Sequence, residues 1–133
     1  MVVPVRFFVD ENDLALGKML GAIHPNVVYP GHEGLPEVPR GTLDEVWLPF
    51  IGASGLIVIT RDQRIRYRPV EQQLWVEHRV RGFVLTGRRS QSTVDSLRIL
   101  AEHWTAMGTM IEVEVEGPWM FAVTSDDLRA IEL

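Results

Sequence analysis

Gly55-Leu-Ile-Val-Ile-Thr-Arg-Asp62 is the stretch on which the reading of this chain turns. Leu56 to Thr60 is apolar up to its last residue and rich in β-branched side chains. A strand with no polar alternation is buried on both faces, as in the middle of a parallel sheet. Gly55 ends the helix before it, and Thr-Arg-Asp puts polar groups where the strand runs out. The same pattern opens the chain: Val3 to Val9 is a short run of Val and Phe that ends at Asp10.

Working outward, the remaining segments alternate in type. Asp13 is the N-cap of a helix carrying Leu14, Leu16, Met19, Leu20 and Ile23. Asn26 to Tyr29 is a short strand, and Pro30 to Gly41 is a loop with three prolines and three glycines. A second helix runs from Asp44 to about Ala53, with Pro49 predicting that it is short or kinked. Arg61 to Arg68 reads as a basic loop, and Val70 to Arg79 as a helix after Pro69. Gly82 to Thr86 is another buried strand. Ser90 to about Met107 is the longest helix, with Val94, Leu97, Leu100, Ala101 and Trp104 on one face. Met110 to Val115 either alternates as a strand or continues that helix. Trp119 to Val123 is the last strand. Strands alternating with helices predict a mainly parallel sheet covered on both sides.

The chain of 133 residues suits one domain, residues 1–133, with one sizeable core. It has no cysteine, which excludes disulfides, thiolate catalysis and cysteine-ligated zinc. The absence also fits a reducing, cytoplasmic location. The first residues lack the basic start and apolar stretch of a signal peptide. No apolar run approaches the ~20 residues of a membrane helix, so no membrane partner is expected. The net charge of −5 is unevenly spread. Eight arginines between Arg61 and Arg89 face three acids, Asp62, Glu71 and Glu77, which makes that stretch +5 and the rest −10. The local balance admits a polyanion such as RNA that the global one would discourage.

In an open parallel sheet the functional crevice lies beyond the carboxyl ends of the strands. Asp10 ends the first strand, Asp62 follows the central one, and Asp44 starts the helix that leads into it. All three are expected at one edge. Clustered carboxylates repel unless a cation neutralises them, and carboxylate oxygens suit Mg²⁺ or Mn²⁺. Such an ion can activate water and stabilise a phosphodiester transition state. Arg61, Arg64, Arg66 and Arg68 are the candidate phosphate contacts, with Arg64 and Arg66 the stronger pair. Each feature also has a plainer reading. An aspartate at a strand end serves as a turn residue or cap, and a charge run as a solvated surface. Glu11, Asp13 and Glu45 read as solvated, capping or first-turn acids. The histidines (24, 32, 78 and 103) lack metal-ligand spacing, and the tryptophans (47, 75, 104 and 119) read as core or interface.

Taken together, Phe7-Phe-Val-Asp-Glu-Asn12, Asp44-Glu-Val-Trp-Leu-Pro49, Gly55 to Asp62 with Arg64-Ile-Arg66, and Phe83-Val-Leu-Thr86 resemble the PIN-like domains of VapC-type toxins. The resemblance covers roughly residues 5 to 125, and Thr-x-Asp after an apolar strand is its most specific piece. It implies a PIN-like three-layer α/β/α fold with a central mainly parallel sheet of four or five strands. It also implies a Mg²⁺- or Mn²⁺-dependent endoribonuclease, the toxin of a bacterial toxin–antitoxin pair held by a cognate antitoxin. Asp10, Asp44 and Asp62 carry over as metal-binding acids and Thr60 as a supporting hydroxyl. Dimers are common among such toxins, which admits a homodimer here. PIN domains often carry a fourth acid after the next strand, but here that strand runs into Thr86-Gly-Arg-Arg89, with no acid before Asp95. That leaves Glu11 to fill the gap, or a reduced site. Two other classes stand beside the nuclease. One is a non-catalytic PIN-like module that binds a partner. The other is a phospho-acceptor receiver, which would need an aspartate where Thr60 stands and a lysine after a later strand, whereas Lys18 is the chain's single lysine.

Overall fold

The computed structural model describes residues 6–87 and 91–133. Six strands and four helices follow one another in the order β1 (Phe7–Val9), α1 (Leu14–Ile23), β2 (Val27–Val28), α2 (Asp44–Ser54), β3 (Ile57–Thr60), α3 (Pro69–Glu77), β4 (Arg81–Leu85), α4 (Thr93–Val113), β5 (Trp119–Val123) and β6 (Leu128–Ile131). The expected strand residues Val3 to Val5, the expected helix start at Ser90, and Arg88 and Arg89 lie outside the described residues.

The sheet runs β2-β1-β3-β4-β5-β6, parallel throughout except for β6. Alternation along the strands divides the core between the two faces. Phe7, Val9, Ile57, Ile59, Phe83 and Leu85 pack under α1 and α4 with Leu16, Leu20, Leu100 and Met107. Phe8, Val58, Val84 and Met120 point the other way, onto Trp47, Leu48 and Ile51 of α2 and Trp75 of α3. This is the three-layer α/β/α arrangement. β4 can lie this close to α3 because residue 82 is glycine: a Cβ there would stand 2.7 Å from Trp75 Cη2 and 2.9 Å from Val58 Cβ.

The sheet has six strands rather than the four or five expected. β6 pairs antiparallel with β5, Met120 opposite Ile131 and Val123 opposite Leu128. It has no apolar run to announce it, because Leu128 and Ile131 are half-buried while Arg129 and Ala130 are exposed. A turn built on Thr124 reverses the chain, its Oγ1 accepting from the N–H groups of Asp126 and Asp127. The open alternative at Met110 resolves as helix: α4 continues to Val113, and Glu114 N–H still donates to Met110 O. α2 runs through Pro49 to Ser54, and Gly55 ends it in the left-handed region at φ 72°. Within the expected basic loop, Gln63–Arg66 forms a 3-10 turn.

From β1 the chain goes to β2 on one side, and β3 then enters on the other. The strand order therefore reverses between β1 and β3, and the crevice of an open α/β sheet falls at their carboxyl ends. Asp10 follows β1, while Thr60 ends β3 with Asp62 just beyond.

Candidate active site at the carboxyl end of the sheet

Thr60 joins the two strand ends. Its Oγ1 donates to Asp10 Oδ2 at 3.0 Å and accepts from Asp62 N–H at 3.0 Å. The Thr-x-Asp spacing thus has a local cause. A hydroxyl on the last strand residue can accept from the N–H two residues on, which turns the chain so that Asp62 follows at the strand mouth. The hydroxyl proton is left to hold Asp10. Asp10 Oδ1 also receives Asn12 N–H at 3.4 Å. Thr60, Asp10 and Asp62 are the buried polar side chains at this end of the sheet.

Asp44 is the first residue of α2, and its side chain does not cap the helix; the N-cap is Leu43, which has no side-chain acceptor. One carboxylate oxygen instead accepts from Trp47 Nε1 at 3.0 Å. Trp47 is itself buried against Phe8, with ring centroids 4.8 Å apart, so a core tryptophan orients the acid. Burial pushes the Asp10 carboxyl up to about 6, and neighbouring Asp44 and Asp62 push the same way. Burial also raises Asp44, with Asp62 and Glu71 adding to the rise while Trp47 and Arg68 oppose it. The three aspartates therefore share one electrostatic environment, in which the charges of Asp10 and Asp44 are disfavoured.

Glu71, in the first turn of α3, is a further acid here, which the sequence analysis counted only in the charge of the basic stretch. Arg68 Nη1 lies 2.9 Å from Asp62 Oδ2, 3.7 Å from Asp44 Oδ2 and 3.8 Å from Glu71 Oε1. One guanidinium nitrogen thus stands where three carboxylates meet. The signal available was Pro69 at the start of a helix with an acid two residues on, which places Glu71 at the edge where β3 ended. Glu11, weighed for the gap, and Asp95, the next acid after the strand, are engaged elsewhere. Glu11 Oε1 accepts from Gly41 N–H at 2.7 Å. Asp95 forms the capping box of α4 with Ser92, whose backbone N–H and hydroxyl hold its carboxyl below the usual range.

The arginines divide by environment. Arg61 is committed within the fold: it pairs with Asp13 at 2.6 Å and donates to the Gln91 carbonyl. Asp13 also receives Leu16 N–H and the Thr93 hydroxyl, tying α1 to α4. Arg68 is held by the acids. Arg64 is exposed, its side chain 79% accessible, with Nε 3.7 Å from Asp62. Arg66 lies with its guanidinium carbon 5.1 Å from the Tyr67 ring centroid. A cleft of about 690 Å³, lined by Asn12, Asp62, Arg64, Tyr67 and Gly87 among others, opens beside Asp62.

A strand order reversing between β1 and β3, with acids at both strand ends and at the start of the helix between them, defines an α/β domain with a polar crevice at its switch point. A family model described as a PIN-like domain matches residues 5–87, well over half of the chain, and the chain belongs to that family. No curated protein and no solved structure shows a match to it. The family match ends after β4, so α4, β5 and β6 lie beyond it. PIN-like domains are commonly nucleases that depend on divalent metal. Among the described residues, no group of three or more His, Cys, Asp or Glu side chains already stands arranged to hold an ion. The donors nonetheless fit a hard cation. They are all carboxylates, Asp10 and Asp44 are raised from their ordinary values, and a cationic group already sits against Asp44 and Asp62. Among the described residues no helix is long and apolar enough to cross a membrane.

Proposed function

We propose that the protein is a Mg²⁺- or Mn²⁺-dependent endoribonuclease, with Asp10, Asp44 and Asp62 as its metal-binding acids. The observation that carries this reading is the grouping of those acids at the switch point, with Asp10 raised by burial and by Asp44 and Asp62, and Asp44 raised by burial and by Asp62 and Glu71. A bound divalent ion would supply an activated water and charge stabilisation at the scissile phosphate. The chain's own residues do the rest. Thr60 keeps Asp10 turned toward Asp62, and Trp47 holds Asp44. Arg68 is the side chain that has to swing out for Asp44 and Asp62 to share a cation, and Arg64, exposed beside Asp62, would receive a phosphate. On the resemblance of its motifs to VapC-type toxins, the nuclease is the toxin of a bacterial toxin–antitoxin pair, silenced by a cognate antitoxin.

The guanidinium among the acids favours a second reading, a PIN-like module that binds a partner without cutting, with Arg68 as a permanent counterion. Cleavage of single-stranded RNA by the purified chain separates the two. The nuclease reading expects cleavage with Mn²⁺ or Mg²⁺, none with excess chelator, and a loss of about a thousandfold in Asp10→Asn, the order seen when a key charge-stabilising group is removed. Full activity in chelator would sink it. A well-folded chain inert with either metal would leave the binding module.

A further inference from the structure

We propose that Tyr67 and the groove between it and β6 form a second RNA subsite, where a base of single-stranded RNA stacks on the tyrosine and the adjoining phosphate is held by Arg66 and Arg129. The inference rests on the acid cluster being where the strand is cut. Tyr67 is 70% exposed, so core packing does not account for an aromatic ring there. The residue closes the 3-10 turn that follows Asp62 and lines two cavities at once. One is the cleft beside Asp62. The other is a groove of about 430 Å³ whose far wall is β6, with Arg129, Ala130 and Glu132. A strand leaving the acids would cross Tyr67 to enter it.

The cations of the groove are available. Arg66 Nε is buried and has no hydrogen-bond partner among the described residues, so turning the side chain toward an arriving phosphate breaks no bond at that atom. Its guanidinium already lies over the Tyr67 ring, which presents the two groups together. Arg129 forms no ion pair with any described residue, although Glu132 lines the same groove. Two arginines against one exposed acid leave the groove positive. Stacking on an exposed ring needs an unstacked base, which a single strand offers and a duplex withholds. Tyr67 and Arg66 lie within the span that matches the family and Arg129 beyond it, so the β6 wall of the groove comes from outside that span.

The test is binding of a fluorescein-labelled oligoribonucleotide in chelator across a salt series, beside its hairpin duplex, with cleavage followed separately in Mn²⁺. Tyr67→Ala should weaken single-strand binding about tenfold or more without changing the salt slope, and Tyr67→Trp should restore it. Arg129→Gln should flatten the log–log slope by about 0.7, the share of one phosphate contact on a single strand. Duplex binding should be weaker and indifferent to residue 67. In Mn²⁺ both variants should raise KM and keep kcat. Wild-type affinity in Tyr67→Ala, or an equal loss on the duplex, overturns the stacking, and an unchanged slope in Arg129→Gln overturns the phosphate contact. Cleavage by a chain whose variants bind normally would leave the cutting site standing and remove the subsite. Tyr67-dependent binding without any cleavage would do the reverse. Both side chains are on the surface, so an unchanged melting temperature checks the fold.

Discussion

The two ends of the sheet are built on opposite terms. At the amino end polar groups find partners. Arg81, at the start of β4, donates to the carbonyls of Gly55 and Val115, and Trp119 Nε1 donates to Glu114 O. At the carboxyl end like charges are pressed together, and burial raises Asp10 and Asp44. The two buried side-chain polar atoms without a partner among the described residues, Arg66 Nε and Thr86 Oγ1, both follow strand carboxyl ends. Groups left unsatisfied or repelling lower stability, and such strain gathers where a ligand can relieve it. The contrast is the one the proposed function expects, strain at one end and stability at the other.

The sharpest way to break that contrast is to remove charge from the strained end. Asp10 stands at about 6 in the folded chain against 3.8 ordinarily. The gap corresponds to about 3 kcal/mol. Because the folded pKa is the higher one, the folded state binds the proton more tightly. The contribution is fully present below 3.8 and is lost as pH rises through 6. Asp44 acts in the same direction, and Asp95, held low by its cap, acts in the opposite one. The difference between wild type and Asp10→Asn isolates the effect. In chelator at neutral pH, Asp10→Asn should be the more stable protein by about 2–3 kcal/mol. Its advantage should vanish by about pH 4. Urea melts at several pH values measure this, and an advantage independent of pH would show that Asp10 is not electrostatically strained.

The sequence made the core of this end legible because Asp10, Thr60 and Asp62 terminate apolar runs, and a strand's end is visible in composition. Asp44 was legible through helix order. The place of Glu71 was marked by Pro69 and its pairing with Arg68 is local, but the contact of Arg68 with Asp44 was not legible, because it depends on how α3 packs on α2. Arg61 reads as one of a basic run, yet its partner Asp13 lies 48 positions away. β6 escaped because a half-buried edge strand carrying Arg129 has no apolar pattern. The amino end was invisible for the same reason: Arg81 looks like another basic residue until the carbonyls of two distant loops close on it.

Adding metal should narrow the contrast by a smaller amount. An ion that binds the folded chain and not the unfolded one stabilises by linkage, about 1.4 kcal/mol at ten times its Kd. Mn²⁺ should therefore raise the melting temperature of the wild type and barely move that of Asp10→Asn. Arg68→Ala should bind the ion more tightly than wild type, because the competing guanidinium is gone. Titrations followed by thermal melting read both effects. Equal affinity in Arg68→Ala would show that Arg68 does not compete with the ion.

The smallest effect is expected at the amino end, where Arg81 is the clearest probe. Its guanidinium bonds two carbonyls, at 3.0 Å to Val115 and 2.9 Å to Gly55, and so ties the end of α2 to the segment after α4. Partial burial draws its pKa down from the usual guanidinium value, the mark of a cation that has given up some water. Arg81→Met keeps much of the aliphatic stem and deletes both bonds. The orphaned carbonyls lie near the surface, where water can replace the guanidinium, so the loss should be about 1 kcal/mol rather than the sum of two buried bonds. Cleavage should be unaffected, because the site lies at the other end of the strands. A urea melt and a cleavage rate on the same preparation test the pair of outcomes. A large loss of activity with little loss of stability would show that the two ends are coupled through β4, and the division of labour argued above would not hold.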